Sequence, residues 1–356
     1  MRRLALNADI LADIFTPSVE NMAAVETWLY PQNAGLFCEP GGFYVDPHRA
    51  VDKAIITHGH SDHARPGHGN VLATPETLAI MEQRLGPDAG KHRQALSFGE
   101  ELIVNGVGVR LAPAGHILGS AQVVLEWQGQ RAVISGDYKR RADPTCEPFE
   151  PAQCDVFITE ATFGLPVFRH PPDRTEIERL LRSLQTFPER THLVGVYGLG
   201  KCQRLICLLR EAGYNSPIWL HGALIGLCEL YEKLGIPLGP LESATTADPR
   251  SLEGKIVLAP PSALRDRWSR RLRDPVTAFA SGWMRVRGRA RQRGVELPLV
   301  ISDHADWDEL TATIAETNAP EIWVTHGREE ALVYEIEQSG RRGRALALVG
   351  REDEDE

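Results

Sequence analysis

The sequence has few cysteines and no long apolar run. Its six cysteines form no CxxC pair, which argues against a zinc ribbon or a small disulfide-stapled fold. No stretch approaches about 18 uncharged apolar residues, so we expect no membrane span. The first residues include Asp9 and Asp13 and lack a small-residue cleavage site, so we expect no secretory signal and a cytoplasmic location. With 356 residues, 42% of them hydrophobic, the chain is long enough for one large domain or two.

Charge is distributed unevenly along the chain. A net charge of −9 argues weakly against a nucleic-acid partner. The last five residues are all acidic, and we expect a disordered acidic tail over 346–356. Residues 265–293 carry ten arginines against two aspartates. A local anion-binding surface is therefore compatible with the negative net charge of the whole protein.

Hydrophobic patterning divides the chain into a β-rich part and a part in which strands alternate with helices. Short apolar runs separated by glycine turns predict a β-rich fold in the first part of the chain. Later apolar runs such as KIVLA (255–259) alternate with amphipathic segments, which predicts buried parallel strands and helices. We expect a first fold interrupted by a second α/β unit, with the following bounds: extension 1–27, first fold 28–165, inserted unit 166–296, closing part of the first fold 297–345.

The segment THGHSDHA (57–64) carries the strongest chemical signal. Four ligand-type side chains, His58, His60, Asp62 and His63, lie within six residues after the apolar run DKAII. A turn at a strand end can direct such residues toward two neighbouring metal ions, and imidazole with carboxylate suits zinc or manganese. The alternative is a solvated polar loop, which leaves this density of ligands after a buried strand unexplained.

Further ligand-type residues follow other apolar runs. His116 ends PAGH, Asp137 ends SGD and His326 lies within THG, each beside a glycine. Strand ends of a packed sandwich converge on one rim and hold side chains rigidly. A carboxylate such as Asp137 can bridge two metals about 3.5–4 Å apart, the separation found in two-metal phosphoesterases.

These motifs resemble a known family. HxHxDH, followed by a lone histidine and a lone aspartate at strand ends, resembles the metallo-β-lactamase fold. TEATFG (159–164), SDHAD (302–306) and THG (325–327) resemble the extra motifs of its β-CASP branch, which contains DNA and RNA nucleases. GDYKR (136–140) and SGWMRVRG (281–288) resemble, more narrowly, the bacterial ligase-associated DNA exonuclease group. The implied fold class is α/β: a metallo-β-lactamase αββα sandwich with an inserted β-CASP α/β domain.

The resemblance also implies residue roles and a cofactor of two divalent metal ions, zinc first and manganese second. One metal is assigned to His58, His60 and His116, the second to Asp62, His63 and His326, and Asp137 bridges them. Asp46 matches the acid that supports the histidine loop from behind. Catalysis is assigned to Glu160, His304, Asp62 and Asp137, with His304 as general acid oriented by Glu160.

The substrate-binding residues are predicted from weaker patterns. GLGKCQRL (198–205) places glycines before an apolar helix, whose first N–H groups could bind a phosphate with help from Lys201 and Arg204. Ser281 follows the apolar run VTAFA and could likewise approach a phosphate. Arg285, Arg287 and Arg289 alternate and, if extended, share one face that could follow a DNA backbone. The alternatives are a structural strand–helix turn and a solvated charged loop.

The predicted function is a two-metal phosphodiesterase acting on nucleic acid. The resemblance favours a DNA exonuclease in DNA repair, acting on single strands or DNA ends, with a 5′ preference. It also implies a functional link to an ATP-dependent DNA ligase and a helicase. Two alternatives remain open: an RNA-processing β-CASP ribonuclease, and a metal-free nucleic-acid-binding subunit.

Overall fold

The computed structural model describes residues 24–348, so most of the predicted N-terminal extension and acidic tail lies outside it. Within this range nineteen strands form three sheets. Seven α-helices accompany them: α1 (Pro75–Leu85), α2 (Asp173–Thr186), α3 (Lys201–Glu211), α4 (Gly222–Lys233), α5 (Arg287–Arg293), α6 (Trp307–Glu316) and α7 (Glu329–Gln338). None of these helices combines the length and the apolar character needed to cross a bilayer.

Two mixed sheets form the first fold. The first sheet runs in the order β1 (Leu29–Gln32), β2 (Gly35–Cys38), β3 (Phe43–Val45), β4 (Lys53–Ile55), β5 (Asn70–Ala73) and β6 (His92–Ala95). The second sheet contains β7 (Glu101–Val104), β8 (Val107–Pro113), β9 (Ala121–Trp127), β10 (Gln130–Ile134), β11 (Val156–Ala161), β18 (Glu321–Gly327) and β19 (Arg342–Ala345). In the second sheet β11 pairs in parallel with both β10 and β18, so the returning segment completes the sheet that the first part began.

Alternation along the strands creates the layers. In β9, Val123 and Leu125 pack in the cluster between the two sheets, whereas Val124 packs on the outer face against α6 and α7. On β4, Ile55 faces the second sheet and Ala54 faces α1. Successive side chains of a strand point to opposite faces, so each sheet is covered on both sides. The predicted αββα sandwich is thereby confirmed.

The inserted unit is built on an all-parallel sheet. Its order is β14 (Leu241–Ser243), β13 (Ile218–Leu220), β15 (Ile256–Ala259), β12 (His192–Gly195), β16 (Val276–Ala280) and β17 (Leu297–Leu299). Helices α2, α3 and α4 cover one face, and short 3₁₀ turns cover the other. The strands read as continuous apolar runs because both faces are buried. Strand β17 pairs with β16, so this sheet extends three residues beyond the expected boundary at 296.

A buried arginine joins the inserted unit to the returning segment. The Arg204 guanidinium on α3 is fully buried and donates to the carbonyl oxygen of Ser302. It forms ion pairs with Asp173 and with Asp303, the latter at 3.3 Å. Burial alone would lower the pKa of Arg204, but these carboxylates outweigh it and raise the pKa. Arg204 therefore stays charged and fixes the SDHAD segment against α3.

We expect Arg204→Met to destabilise the protein by about 3–5 kcal/mol, because it leaves buried carboxylates without their cation. The free energy of unfolding in urea measures this change. Arg182→Met, on the exposed side of α2, is the matched control and should change it by less than about 0.5 kcal/mol. Equal stability of the two variants would contradict the assignment of Arg204 as a structural tie.

Candidate metal centre

The turn after β4 is held from behind by Asp46. One carboxylate oxygen of Asp46 accepts the backbone N–H of Thr57 at 2.8 Å, and the other accepts the Thr57 hydroxyl at 2.6 Å and His63 Nδ1 at 2.7 Å. Asp46 has a φ of 44°, a left-handed conformation that costs energy for a residue other than glycine. The supporting role expected for Asp46 thus corresponds to direct hydrogen bonds that orient His63.

Three imidazoles converge in front of this turn. His60 Nδ1 lies 3.1 Å from His58 Nε2 and 3.0 Å from His116 Nε2. The other ring nitrogen of each histidine faces an oxygen. His58 Nδ1 lies 3.0 Å from the Thr57 hydroxyl. His60 Nε2 lies 3.2 Å from the Leu199 carbonyl, and His116 Nδ1 lies 2.8 Å from the Asp303 carbonyl. Since a carbonyl oxygen only accepts, the proton of His60 and of His116 is on the nitrogen that faces it.

The converging nitrogens fit a metal ion. A neutral imidazole has one N–H, and that proton is already used on the far side of the ring, so the three facing nitrogens present lone pairs to one another. Burial lowers the pKa of His58 well below its usual value and lowers that of His116 to about 3, so both rings are neutral at pH 7. Neutral imidazoles, each held by an oxygen behind it, are the ligands that divalent zinc requires.

Asp137 connects this group to a second one. Its Oδ2 lies 3.4 Å from both His58 Nε2 and His63 Nε2, while Asp62 Oδ2 is 3.3 Å from His63 Nε2. Three groups of potential ligands share this carboxylate, and two of them match the expected metal sites: His58, His60, His116 and Asp137, and Asp62, His63 and Asp137. The third group is Asp137, Glu160 and His304. Burial would raise the pKa of Asp62 and Asp137, but the neighbouring histidines, His63 foremost, together outweigh burial and lower both pKa values. Both side chains are carboxylates at neutral pH.

His326 faces the same cavity from the end of β18. Its ring centroid is 6.3 Å from that of His63, so it lies outside the tight ligand sets but next to the second one. Its φ of 63° is left-handed, and its Nδ1 is buried with no hydrogen-bond partner among residues 24–348. A strained backbone that presents an unsatisfied buried nitrogen is compatible with the ligand role expected for His326.

Glu160 and His304 form a buried pair beside Asp137. His304 Nδ1 lies 2.9 Å from Glu160 Oε2. Glu160 is itself oriented, because it accepts the Tyr138 N–H at 2.8 Å and the Thr162 hydroxyl at 2.5 Å. A carboxylate on Nδ1 stabilises the protonated ring and directs Nε2 away from Glu160. The structure thus brings together the two residues for which general-acid chemistry was expected.

His60, Asp62, Asp137, His304 and His326 line a cavity of about 350 Å³. Arg84, near the end of α1, is a further member that the sequence did not indicate, because a single arginine in the last turn of a helix is an ordinary feature. Arg84 Nη1 donates to the Gly59 carbonyl, and burial lowers the pKa of its guanidinium. It places a positive charge at a cavity otherwise rich in carboxylates.

Three of the expected phosphate contacts are not at a solvent-accessible surface. Lys201 is 1% exposed, with its Nζ 3.7 Å from Asp303 Oδ2, and Arg204 is 0% exposed within its ion pairs. Ser281 is also buried, and its hydroxyl accepts the Trp283 N–H at 3.3 Å. The expectation that Lys201 and Arg204 meet a phosphate is corrected: side-chain burial against Asp303 places both in the support of the site.

The expected geometry of the arginine-rich segment is wrong. A 3₁₀ turn, Gly282–Arg285, and helix α5 replace the extended strand, so Arg285, Arg287 and Arg289 do not share one face. Arg285 and Arg287 are exposed, whereas Arg289 lies over the Trp283 ring at 3.9 Å. Helical spacing instead pairs Arg289 with Arg293, four residues on.

The layered fold and the shared-carboxylate cluster define a protein of the metallo-β-lactamase fold. No protein-family model matches the chain. A probable DNA ligase of Opitutus terrae is 30% identical over 327 residues, which is 90% of this chain and 31% of that protein. A ribonuclease of Thermus thermophilus is 30% identical over 226 residues, 55% of this chain and 51% of the ribonuclease.

One further sequence relative and one solved structure are also similar to this chain. The endoribonuclease YSH1 of Gibberella zeae is 27% identical over 174 residues, 48% of this chain and 20% of its own length. A crystal structure of a protein of unknown function from Enterococcus faecalis superposes with a TM-score of 0.58 at 13% identity, covering 86% of this chain and 83% of the other. The chain thus spans between about a fifth and a half of the sequence relatives it matches. These relatives support the β-CASP nuclease family of the metallo-β-lactamase fold.

We expect Asp137→Ala to lose metal from both ligand sets, because it removes the one carboxylate that they share. Elemental analysis after dialysis should find two divalent ions per chain in the wild type and fewer than one in the variant. His92→Ala, on exposed strand β6, removes an imidazole far from the cluster and should keep the wild-type content. Full metal content in Asp137→Ala would exclude the shared site.

Proposed function

We propose that this protein is a two-metal-dependent phosphodiesterase that acts on nucleic acid, and more narrowly a DNA exonuclease that removes nucleotides from the 5′ end of a single strand. The observation that carries this proposal is the carboxylate of Asp137, which lies between two ligand sets and next to the Glu160–His304 pair. Metal ligands and a group that can donate a proton therefore face one cavity. A metal-free binding subunit would have no use for three imidazoles whose ring nitrogens converge on one another.

The chain's own residues suit phosphodiester hydrolysis. Two divalent cations held by the two ligand sets would neutralise the phosphate charge and lower the pKa of a bound water toward about 7. Glu160 holds His304 through Nδ1 and stabilises its protonated form, so Nε2 can deliver a proton to the leaving 3′ oxygen. The products are then a 3′ hydroxyl and a 5′ phosphate. Arg84 adds a positive charge that attracts the phosphate to the cavity.

DNA is favoured over RNA by the extent of the sequence similarity. The protein named a probable DNA ligase matches 90% of this chain, whereas the Thermus ribonuclease matches 55%. That similarity also supports a functional link between this chain and a DNA ligase; that this ligase is ATP-dependent and acts in DNA repair is part of the proposal. RNA processing is the second candidate, since the Thermus protein is equally identical over the shorter match.

End-labelled oligonucleotides test this proposal directly. Single-stranded DNA, duplex DNA and RNA of one sequence are incubated with the protein and zinc, manganese or magnesium. We expect 5′-labelled single-stranded DNA to release labelled mononucleotides from the first time point, and 3′-labelled DNA to shorten stepwise. The Asp137→Ala protein is the matched control for a contaminating nuclease.

Each part of the proposal can fail in this assay. Faster cleavage of RNA than of DNA would replace the substrate assignment with the ribonuclease alternative. Internal fragments as first products would exclude exonuclease action. No cleavage of any strand by metal-loaded protein would exclude the nuclease assignment itself.

The alanine variants of His304 and His326 should lose cleavage activity for different reasons. His304→Ala should keep its metals and lose about 10²- to 10⁴-fold in DNA cleavage rate, as expected for removal of a general acid. A nitrophenyl phosphodiester has a leaving group that needs little protonation, so it should recover much of that loss. His326→Ala should lose metal and remain slow on both substrates. Equal defects of His304→Ala on the two substrates, or loss of its metal, would contradict the acid role.

A further inference from the structure

A second cavity lies on the inserted unit, next to the metal cavity. Its volume is about 510 Å³, and it is formed by the 3₁₀ turn Pro261–Arg265, the end of β16, the turn that holds Trp283, and α5. Tyr197 lines the metal cavity and lies 6.3 Å, ring to ring, from Phe279, which lines the second cavity. One layer of aromatic side chains therefore separates the two.

The second cavity is strongly basic. Arg265, Arg289 and Arg293 line it together with Ser262 and Gln292, and no carboxylate occurs among the described residues of its lining. A chain with a net charge of −9 thus concentrates three positive charges around one concave surface. Such a surface attracts an anionic ligand against the overall charge of the protein.

Aromatic rings hold two of these guanidinium groups in place. Arg289 Cζ lies 3.9 Å from the centroid of the Trp283 ring, and Arg293 Cζ lies 4.8 Å from that of Phe279. Arg265 donates to the backbone carbonyl of Arg293, which ties the opposite wall to α5. A planar guanidinium that is already stacked loses less entropy when its N–H fork binds a phosphate. The arginines are therefore arranged for phosphate recognition.

The position of the cavity relates it to the metal centre. The ring centroids of His304 and Phe163 are 6.2 Å apart, and those of Phe163 and Trp283 are 4.8 Å apart. At about 3.4 Å per nucleotide of a stacked strand, these two steps place Trp283 within a few nucleotides of His304. A strand whose terminal phosphodiester lies at His304 can thus reach the arginines with a phosphate a few nucleotides away.

We propose that this cavity is a second binding site for the substrate strand, in which Arg265, Arg289 and Arg293 bind a backbone phosphate a few nucleotides from the cleaved bond. The inference rests on the proposed function, because it takes a nucleic-acid strand as the ligand. It adds a site that neither the metal ligands nor the β-CASP motifs identify. Its consequence is that strands too short to reach from the metals to the arginines bind weakly.

Binding without catalysis tests the site. The double variant Arg289→Gln, Arg293→Gln is compared with Arg291→Gln, which changes an exposed residue of the same helix that does not line the cavity. Fluorescence anisotropy of a labelled single-stranded DNA decamer is measured in EDTA over a range of salt concentrations. We expect the double variant to bind roughly 10- to 30-fold more weakly at about 0.1 M salt, with its salt slope reduced by about 1.4 for two lost phosphate contacts.

The outcomes separate this inference from the proposed function. If the double variant and Arg291→Gln bind the decamer with the same affinity and salt slope, the second site is excluded, whatever the wild type cleaves. If the double variant shows the expected loss but wild-type protein cleaves no nucleic acid, the site stands and the nuclease proposal fails. Unchanged metal content and thermal unfolding of the double variant show that its fold is intact.

Ser262→Asp gives an independent test that leaves every arginine in place. Ser262 is exposed, so the substitution should not disturb the core, and the new carboxylate lies among the arginines. We expect an unchanged or higher melting temperature together with weaker decamer binding, because the carboxylate competes with the phosphate. Decamer affinity equal to that of the wild type would overturn the proposal even if the arginine variants fail to fold.

Discussion

Convergence of buried lone pairs is the constraint on which the rest of the structure depends. His60 Nδ1 lies about 3 Å from a ring nitrogen of both His58 and His116, and Asp137 adds a negative oxygen 3.4 Å from His58 and 3.8 Å from His116. Lone pairs and a negative oxygen held this close together in a buried region repel one another, which is unfavourable without a cation. The surrounding residues maintain it by binding the far side of each ring. A hydroxyl and two backbone carbonyls, together with the Asp46 carboxylate behind His63, leave the imidazoles no alternative orientation.

The inserted unit takes part in this support. Leu199, in the loop before α3, supplies the carbonyl that orients His60, and Asp303 supplies the one that orients His116. Asp303 is in turn held by Arg204, whose charge is balanced within the buried network. The insertion therefore helps to position the residues of the candidate metal centre. The same link explains why Lys201 and Arg204, expected at a phosphate, are buried: their positive charges hold the SDHAD segment in position.

Sequence reasoning succeeded where a short segment carried its own chemistry. The residues 58–63 lie in one turn after a strand, so their proximity follows from the local spacing, and alternating apolar residues were enough to predict the layered sheets. It failed where local conformation depended on tertiary packing. The alternating arginines at 285–289 suggested an extended face, but Trp283 packs on Phe163 and Phe168, and the chain after it turns into a helix. Helical spacing then selects Arg289 and Arg293, a pair that alternation does not suggest.

The sequence by itself determined the ligand types, the strand ends that carry them and the division into a β-rich fold with an α/β insertion. These depend on periodicity and on the chemistry of individual side chains, which are local properties. Only the tertiary structure decided which nitrogen of each histidine faces its partners in the cluster, and that Arg84 and the α5 arginines lie at the surfaces where a substrate could reach. Those properties depend on contacts between residues up to 187 positions apart, such as His116 with the carbonyl of Asp303, and no local pattern encodes such contacts.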